Sequence, residues 1–235
     1  MIFSHTEVMQ ELERLANPQR LEGMARVGIN TQASLGISLY DLRKLAKTIG
    51  RDHHLALELW KSGIHEARLL ACFVDDPKQV TPQQMEEWVL DFDSWDICDQ
   101  CCTDLFDQTP YAWEKAFVWM EREEEFVRRA GFALIAGLAV HDKGSPDQRF
   151  EAFLPYLLRH ATDGRNYVKK AVNWALRNIG KRSPSLNQMA VQTAFSMQAL
   201  GDRTARWIAA DALRELKSDK IQARFNKKNP QRGSQ

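Results

Sequence analysis

Apolar residues along the chain recur at helical spacing, and the strict alternation that marks a half-buried strand is nearly absent. Leu39, Leu42, Leu45, Ala46 and Ile49 fall at i, i+3, i+6, i+7 and i+10, the stripe of an amphipathic helix with one face in a core. Val168, Ala171, Val172, Ala175 and Ile179 make a second such stripe. Four pairs, Thr81-Pro82, Thr109-Pro110, Ser145-Pro146 and Ser183-Pro184, set a capping hydroxyl before a proline suited to a first helical turn, and so predict four helix starts. Gly50, Gly63, Gly180 and Gly201 mark predicted ends or connections. The pattern predicts about ten to twelve helices of roughly 10–16 residues with short loops, an all-α protein. Helix pairs recur at roughly HEAT-like intervals without strict self-similarity, as in a degenerate solenoid whose concave face suits a long ligand.

Composition narrows the class. At 235 residues with 44% hydrophobic and 27% charged content, the chain can bury a sizeable core. We expect one repeat domain over 1–222 and a basic polar tail over 223–235. No run of about 18 apolar residues exists, and Glu7, Glu11 and Glu13 stand where a signal peptide needs an apolar stretch, so a cytoplasmic protein is expected. Cys98, Cys101 and Cys102 crowd into one helical segment, with Cys72 apart, which argues against a disulfide framework. The single CxxC has no second pair or suitably spaced His, and His65-Glu66 lacks the second His of a zincin motif. No metal or cofactor is expected.

The net charge of +1 conceals a segregation along the chain. Residues 1–74 carry +1, residues 75–125 carry −12 and residues 126–235 carry +12. A basic C-terminal half could face an anionic polymer, although ordinary solvated helix faces give the same count.

Three stretches carry candidate chemistry. In DFDSWDICDQCC, Trp95 and Asp99 lie four apart and share a helix face, an aromatic plane beside a carboxylate suited to stabilising positive charge. On spacing alone a core tryptophan with a helix-start aspartate is the commoner arrangement, and Asp96 fits a first-turn acidic position. FVRRAGFALIAGLAV is uncharged apart from Arg128 and Arg129, and a guanidinium in so apolar a helix needs a carboxylate or a phosphate as partner. In NYVKKAVNWALRNIGKR, Lys170, Trp174, Arg177 and Lys181 share one face opposite the apolar stripe. Cations interleaved with an indole suit nucleic acid, and a solvated basic face remains the plain alternative.

These stretches, together with GISLYDLRKLAKTIG and LALELWKSGIHEARLLA, resemble the AlkD-like branch of the DNA alkylation repair enzyme family over roughly residues 23–182. The resemblance implies a HEAT-like helical solenoid with a concave DNA-binding face, acting as a monomer on duplex DNA and releasing purines alkylated at N3 or N7. It implies a catalytic role for Asp99, with Trp95 and Trp174 cradling the sugar, and a phosphate contact for Arg129, with Arg128 its neighbour. Lys170, Arg177 and Lys181 are the further expected DNA-binding residues. Two other readings stay open: a binder of alkylated or distorted DNA without catalysis, and a HEAT-type scaffold that docks proteins on its acidic segment.

Overall fold

The computed structural model describes residues 3–228, and every regular element among them is helical. In chain order the helices are α1 (His5–Leu15), α2 (Leu21–Arg26), α3 (Leu39–Ile49), α4 (His53–Lys61), α5 (His65–Val74), α6 (Pro82–Leu90), α7 (Trp95–Asp104), α8 (Ala112–Met120), α9 (Glu125–His141), α10 (Asp147–Glu151), α11 (Leu154–Arg159), α12 (Asn166–Gly180), α13 (Pro184–Ala199), α14 (Arg203–Leu216) and α15 (Asp219–Lys228). Three single turns of 3-10 helix join some of them. No described helix is long and apolar enough to cross a membrane.

The capping chemistry explains most of the boundaries. The Thr81 and Ser183 hydroxyls accept the backbone N–H of Gln84 and Leu186, each at 3.1 Å, with Pro82 and Pro184 opening the helices behind them. The other two predicted starts shift by one or two residues. Thr109 spends its hydroxyl on the carbonyl of Phe106, closing a 3-10 turn, and the next helix begins at Ala112. Ser145 bonds Asp142 instead, and Pro146 itself takes the cap position before α10. Fifteen described helices exceed the ten to twelve expected because α2, α10 and α11 are five or six residues long. Short breaks of that kind leave the hydrophobic period intact across the gap, so the pattern reads through them. The expected tail over 223–235 starts inside α15, and residues 229–235 lie outside the described residues.

The chain forms two compact units, Met1–Lys115 and Ala116–Gln235, with the division inside α8. In the first unit α5 is the central helix, packed on α3, α4 and α7. Its Ala67, Leu69, Leu70, Ala71, Cys72 and Val74 are all buried. Each large side chain among them contributes about 1.5–3 kcal/mol by leaving water. The Trp60 and Trp88 rings stack beside it at 4.0 Å. In the second unit α12 is central, against α9, α13 and α14, and buries the predicted stripe of Val168, Ala171, Val172, Ala175 and Ile179. On α3 the predicted stripe buries Leu42, Leu45 and Ala46, whereas Leu39 is left exposed at the first turn.

Candidate functional site

Trp95 and Asp99 belong to the first unit, and the six other candidate residues belong to the second. On α7 the core face is Ile97, Cys98, Cys101 and Cys102, all buried. Trp95 and Asp99 lie half-buried on one helical face. Trp95 is fixed at its edge, where the indole Nε1–H donates to the carbonyl of Val27 at 3.1 Å. Two further bonds tie the segment after α2 to the start of α7: the Asn30 N–H to the Ser94 hydroxyl at 3.1 Å and the Asn30 side-chain amide to Asp93 at 2.7 Å.

That segment is itself organised by a buried carboxylate. Glu66, fully buried at the start of α5, accepts the backbone N–H of Leu35 and of Gly36 at 2.7 Å, of Ile37 at 3.2 Å, and the Ser34 hydroxyl at 2.7 Å. Such a set of donors compensates a charge that burial alone makes costly. Gly36 has φ +75° and approaches Asn17 so closely that a Cβ would run into the Asn17 carbonyl oxygen. His65 completes the arrangement, its Nε2 hydrogen-bonded to Asp96 Oδ2 at 2.9 Å with both side chains buried. Burial disfavours the charged imidazole, but the hydrogen bond and charge of Asp96, with Glu66 and Asp93 nearby, outweigh it and raise the His65 pKa above its ordinary value. The His-Glu pair that falls short of a metal motif is therefore a structural device. It anchors both the chain segment that holds Trp95 and the helix that carries Asp99.

The four cysteines are buried thiols outside any disulfide. Burial pushes the Cys101 and Cys102 thiols well above their usual range, which disfavours the nucleophilic thiolate. Among the described residues no group of His, Cys, Asp and Glu is arranged to hold a metal ion.

In the second unit both arginines of α9 bond to protein acceptors. Arg128 Nη1 donates to Asp163 at 2.9 Å and its Nε to the carbonyl of Met120 at 3.2 Å. Asp163 also takes two bonds from the Arg165 guanidinium, at 2.9 and 2.6 Å, and one from the Arg165 backbone N–H at 3.1 Å. Burial works against that carboxylate, yet the Arg165 and Arg128 bonds prevail and lower its pKa to about 2. Arg129 is 5% exposed and donates from Nη1 to the Tyr167 carbonyl at 2.6 Å, which ties α9 to the first turn of α12. The adjacent Phe126 and Tyr167 rings stack at 5.2 Å.

The polar face of α12 runs as predicted, but its cations differ in circumstance. Lys170 is exposed and Trp174 half-buried. Arg177 Nη1 sits 2.9 Å from Glu215 and 3.6 Å from Asp211, while Lys181 Nζ sits 2.9 Å from the other oxygen of Glu215. Glu215 thus partly neutralises two of the three predicted DNA-binding cations on this face. Nothing in the spacing of α12 announces a carboxylate 34 and 38 residues further on.

Two curated relatives come from Listeria, the uncharacterized protein Lin0241 of Listeria innocua at 23% identity and the uncharacterized protein Lmo0209 of Listeria monocytogenes at 21%. Each alignment covers 80% of this chain and 83% of the relative. A solved structure matches with a TM-score of 0.74 at 21% identity, covering 83% of both chains. It is described as a new family of proteins related to the HEAT-like repeat DNA glycosylases with affinity for branched DNA structures. At that identity the likeness establishes the fold, a HEAT-like helical repeat. The family model for the DNA alkylation repair enzyme matches residues 8–216, nearly the whole described chain, and the chain therefore belongs to the DNA alkylation repair enzyme family.

Proposed function

We propose that the chain is a DNA glycosylase that hydrolyses the N-glycosidic bond of cationic N3- or N7-alkylated purines in duplex DNA. The observation that carries this reading is the pairing of Trp95 and Asp99 on one half-buried face of α7, with the indole held by the Val27 carbonyl. An alkylated purine already bears positive charge, so the bonding pair of the glycosidic bond returns to the base, which leaves neutral without a general acid. Positive charge then develops on the deoxyribose. The Asp99 carboxylate stabilises it and orients the water that adds to C1′, and the proton lost from that water passes to Asp99 or to solvent. The Trp95 face offers a cation–π surface to the same charge.

On the second unit, the exposed Lys170 with Trp174 supplies a phosphate contact and an indole surface, and Arg128, Arg129, Arg177 and Lys181 stiffen the helices that carry them. Lys170→Ala is expected to weaken duplex binding and to lower the slope of log affinity against log salt by about 0.9, the loss of one phosphate contact. Fluorescence anisotropy over a salt series checks it, and an unchanged slope rules Lys170 out as a phosphate ligand.

A second reading, a binder of unusual DNA structures without catalysis, is favoured by the description of the solved neighbour. Chromatography of bases released from methylated DNA separates the two. Released 3-methyladenine or 7-methylguanine supports the glycosylase. Tight binding to four-way junctions with no released base supports the binder.

A further inference from the structure

The far ends of α9 and α12 carry a pocket of about 640 Å3 that the proposed chemistry does not use. Four cations line it, Lys143, Lys181, Arg182 and Arg224, with Asp147 and Asn178 between them. On α12 it begins at Asn178, eight residues beyond Lys170, about 12 Å along the helix, and on α9 at Ala139, ten residues beyond Arg129, about 15 Å. It therefore lies beyond Lys170 and Trp174, toward the C-terminal end of the same helix.

Arg182 is the built element of this pocket. Its side chain is 9% exposed and its guanidinium lies over the Phe150 ring, 4.0 Å from the centroid. One terminal nitrogen donates to the carbonyl of Asp142 and the other to that of Ser145 at 2.7 Å, fixing the loop between α9 and α10. The Nε–H is buried and has no hydrogen-bond acceptor among the described residues; Asp147 Oδ1 is 3.5 Å away, and the other Asp147 oxygen is taken by the Ser183 hydroxyl. A buried charged donor without an acceptor is a costly arrangement. Asp147 balances the Arg182 charge, and the exposed cations of the pocket are the ones left to meet an incoming anion.

Lys143 and Arg224 are exposed at the pocket and free to reach an incoming group, whereas Lys181 is shared with Glu215. With Lys181 offset by Glu215 and Arg182 by Asp147, Lys143 and Arg224 leave the pocket positively charged, which suits an anion with several acceptor oxygens. Exposed cations and the +12 charge of residues 126–235 favour a polymer that passes over the surface. We infer that this pocket is a second phosphate site, which takes a backbone phosphodiester of DNA at a distance from the Lys170 contact. The inference rests on the reading of the chain as a DNA-binding protein.

The test uses the full chain with both exposed cations removed, K143A/R224A, because Arg182 also holds the loop. Circular dichroism and thermal melting confirm the fold, and a second double variant, R203A/R206A, removes two exposed charges on α14. Duplex DNA is titrated across a salt series. We expect K143A/R224A to bind about tenfold more weakly and to lower the salt slope by about one to two, with R203A/R206A keeping the parental slope. Equal losses in both variants reduce the effect to bulk charge and overturn the site. If the parent binds DNA and K143A/R224A matches it, the pocket fails while the DNA-binding reading stands. If the parent binds neither duplex nor branched DNA, both fail together. If inorganic phosphate raises the melting temperature of the parent but not of K143A/R224A while the DNA slope is unchanged, the pocket takes free phosphate and the backbone assignment is overturned.

Discussion

Asp99 and Trp95 owe their setting to residues that carry no chemistry of their own. Glu66 gathers four donors from Ser34 to Ile37, Asn30 bonds both Asp93 and Ser94, and His65 reaches Asp96 between the two candidate residues. The His65 pair makes a pH-dependent contribution whose sign follows from the raised pKa. Stability from a raised histidine is fully present below the unfolded value of about 6.5 and is lost as pH rises through the folded value. His65→Gln is expected to cost about 1–3 kcal/mol where the imidazole is charged, since it strips a charged partner from the buried Asp96. In urea unfolding, the gap between parent and variant should be wider at about pH 5.5 than at about pH 8. A gap that is constant with pH would show that the pair does not titrate. Much of this level was illegible in the sequence. The spacing of Trp95 and Asp99 was visible because it is local, whereas Glu66 and Asp96 meet partners some thirty residues away, and His65-Glu66 drew notice only as an incomplete metal motif.

Helices and their faces were the readable level, because period and capping are written within a dozen residues. The stripes on α3 and α12 became buried faces, and two of four hydroxyl–proline pairs cap helices as expected. What a local pattern cannot carry is how closely two helices approach, and α8 with α9 is the clearest case. A Cβ on Gly131 would lie 2.5 Å from the Met120 backbone nitrogen and 3.0 Å from the Ala116 carbonyl oxygen. Neither atom can move aside without shifting a helix. Gly131→Ala should therefore destabilise by about 1–3 kcal/mol despite alanine's better helix propensity, with the loss read as a lower midpoint in denaturant. A neutral or stabilising result would mean that the two helices are free to separate. The same limit explains α12: its basic face was predicted from spacing, but the capture of Arg177 and Lys181 by Glu215 depends on where α14 packs.

At the scale of the molecule, the charge segregation of −12 over 75–125 and +12 over 126–235 acquires a location. The basic part forms most of the second unit, and the acidic part holds α7 with Asp99. An anionic site beside DNA is unfavourable for binding and favourable for a transition state that gains positive charge, so a catalytic Asp99 must cost more in chemistry than in affinity when neutralised. The direct measurement is single-turnover release of 7-methylguanine from methylated duplex by the parent and by Asp99→Asn, with duplex binding measured in parallel. The account predicts release about a hundredfold slower in the variant, on the order of 3 kcal/mol in barrier, with binding unchanged or tighter. Release at the parental rate in Asp99→Asn, or none from the parent itself, would contradict it.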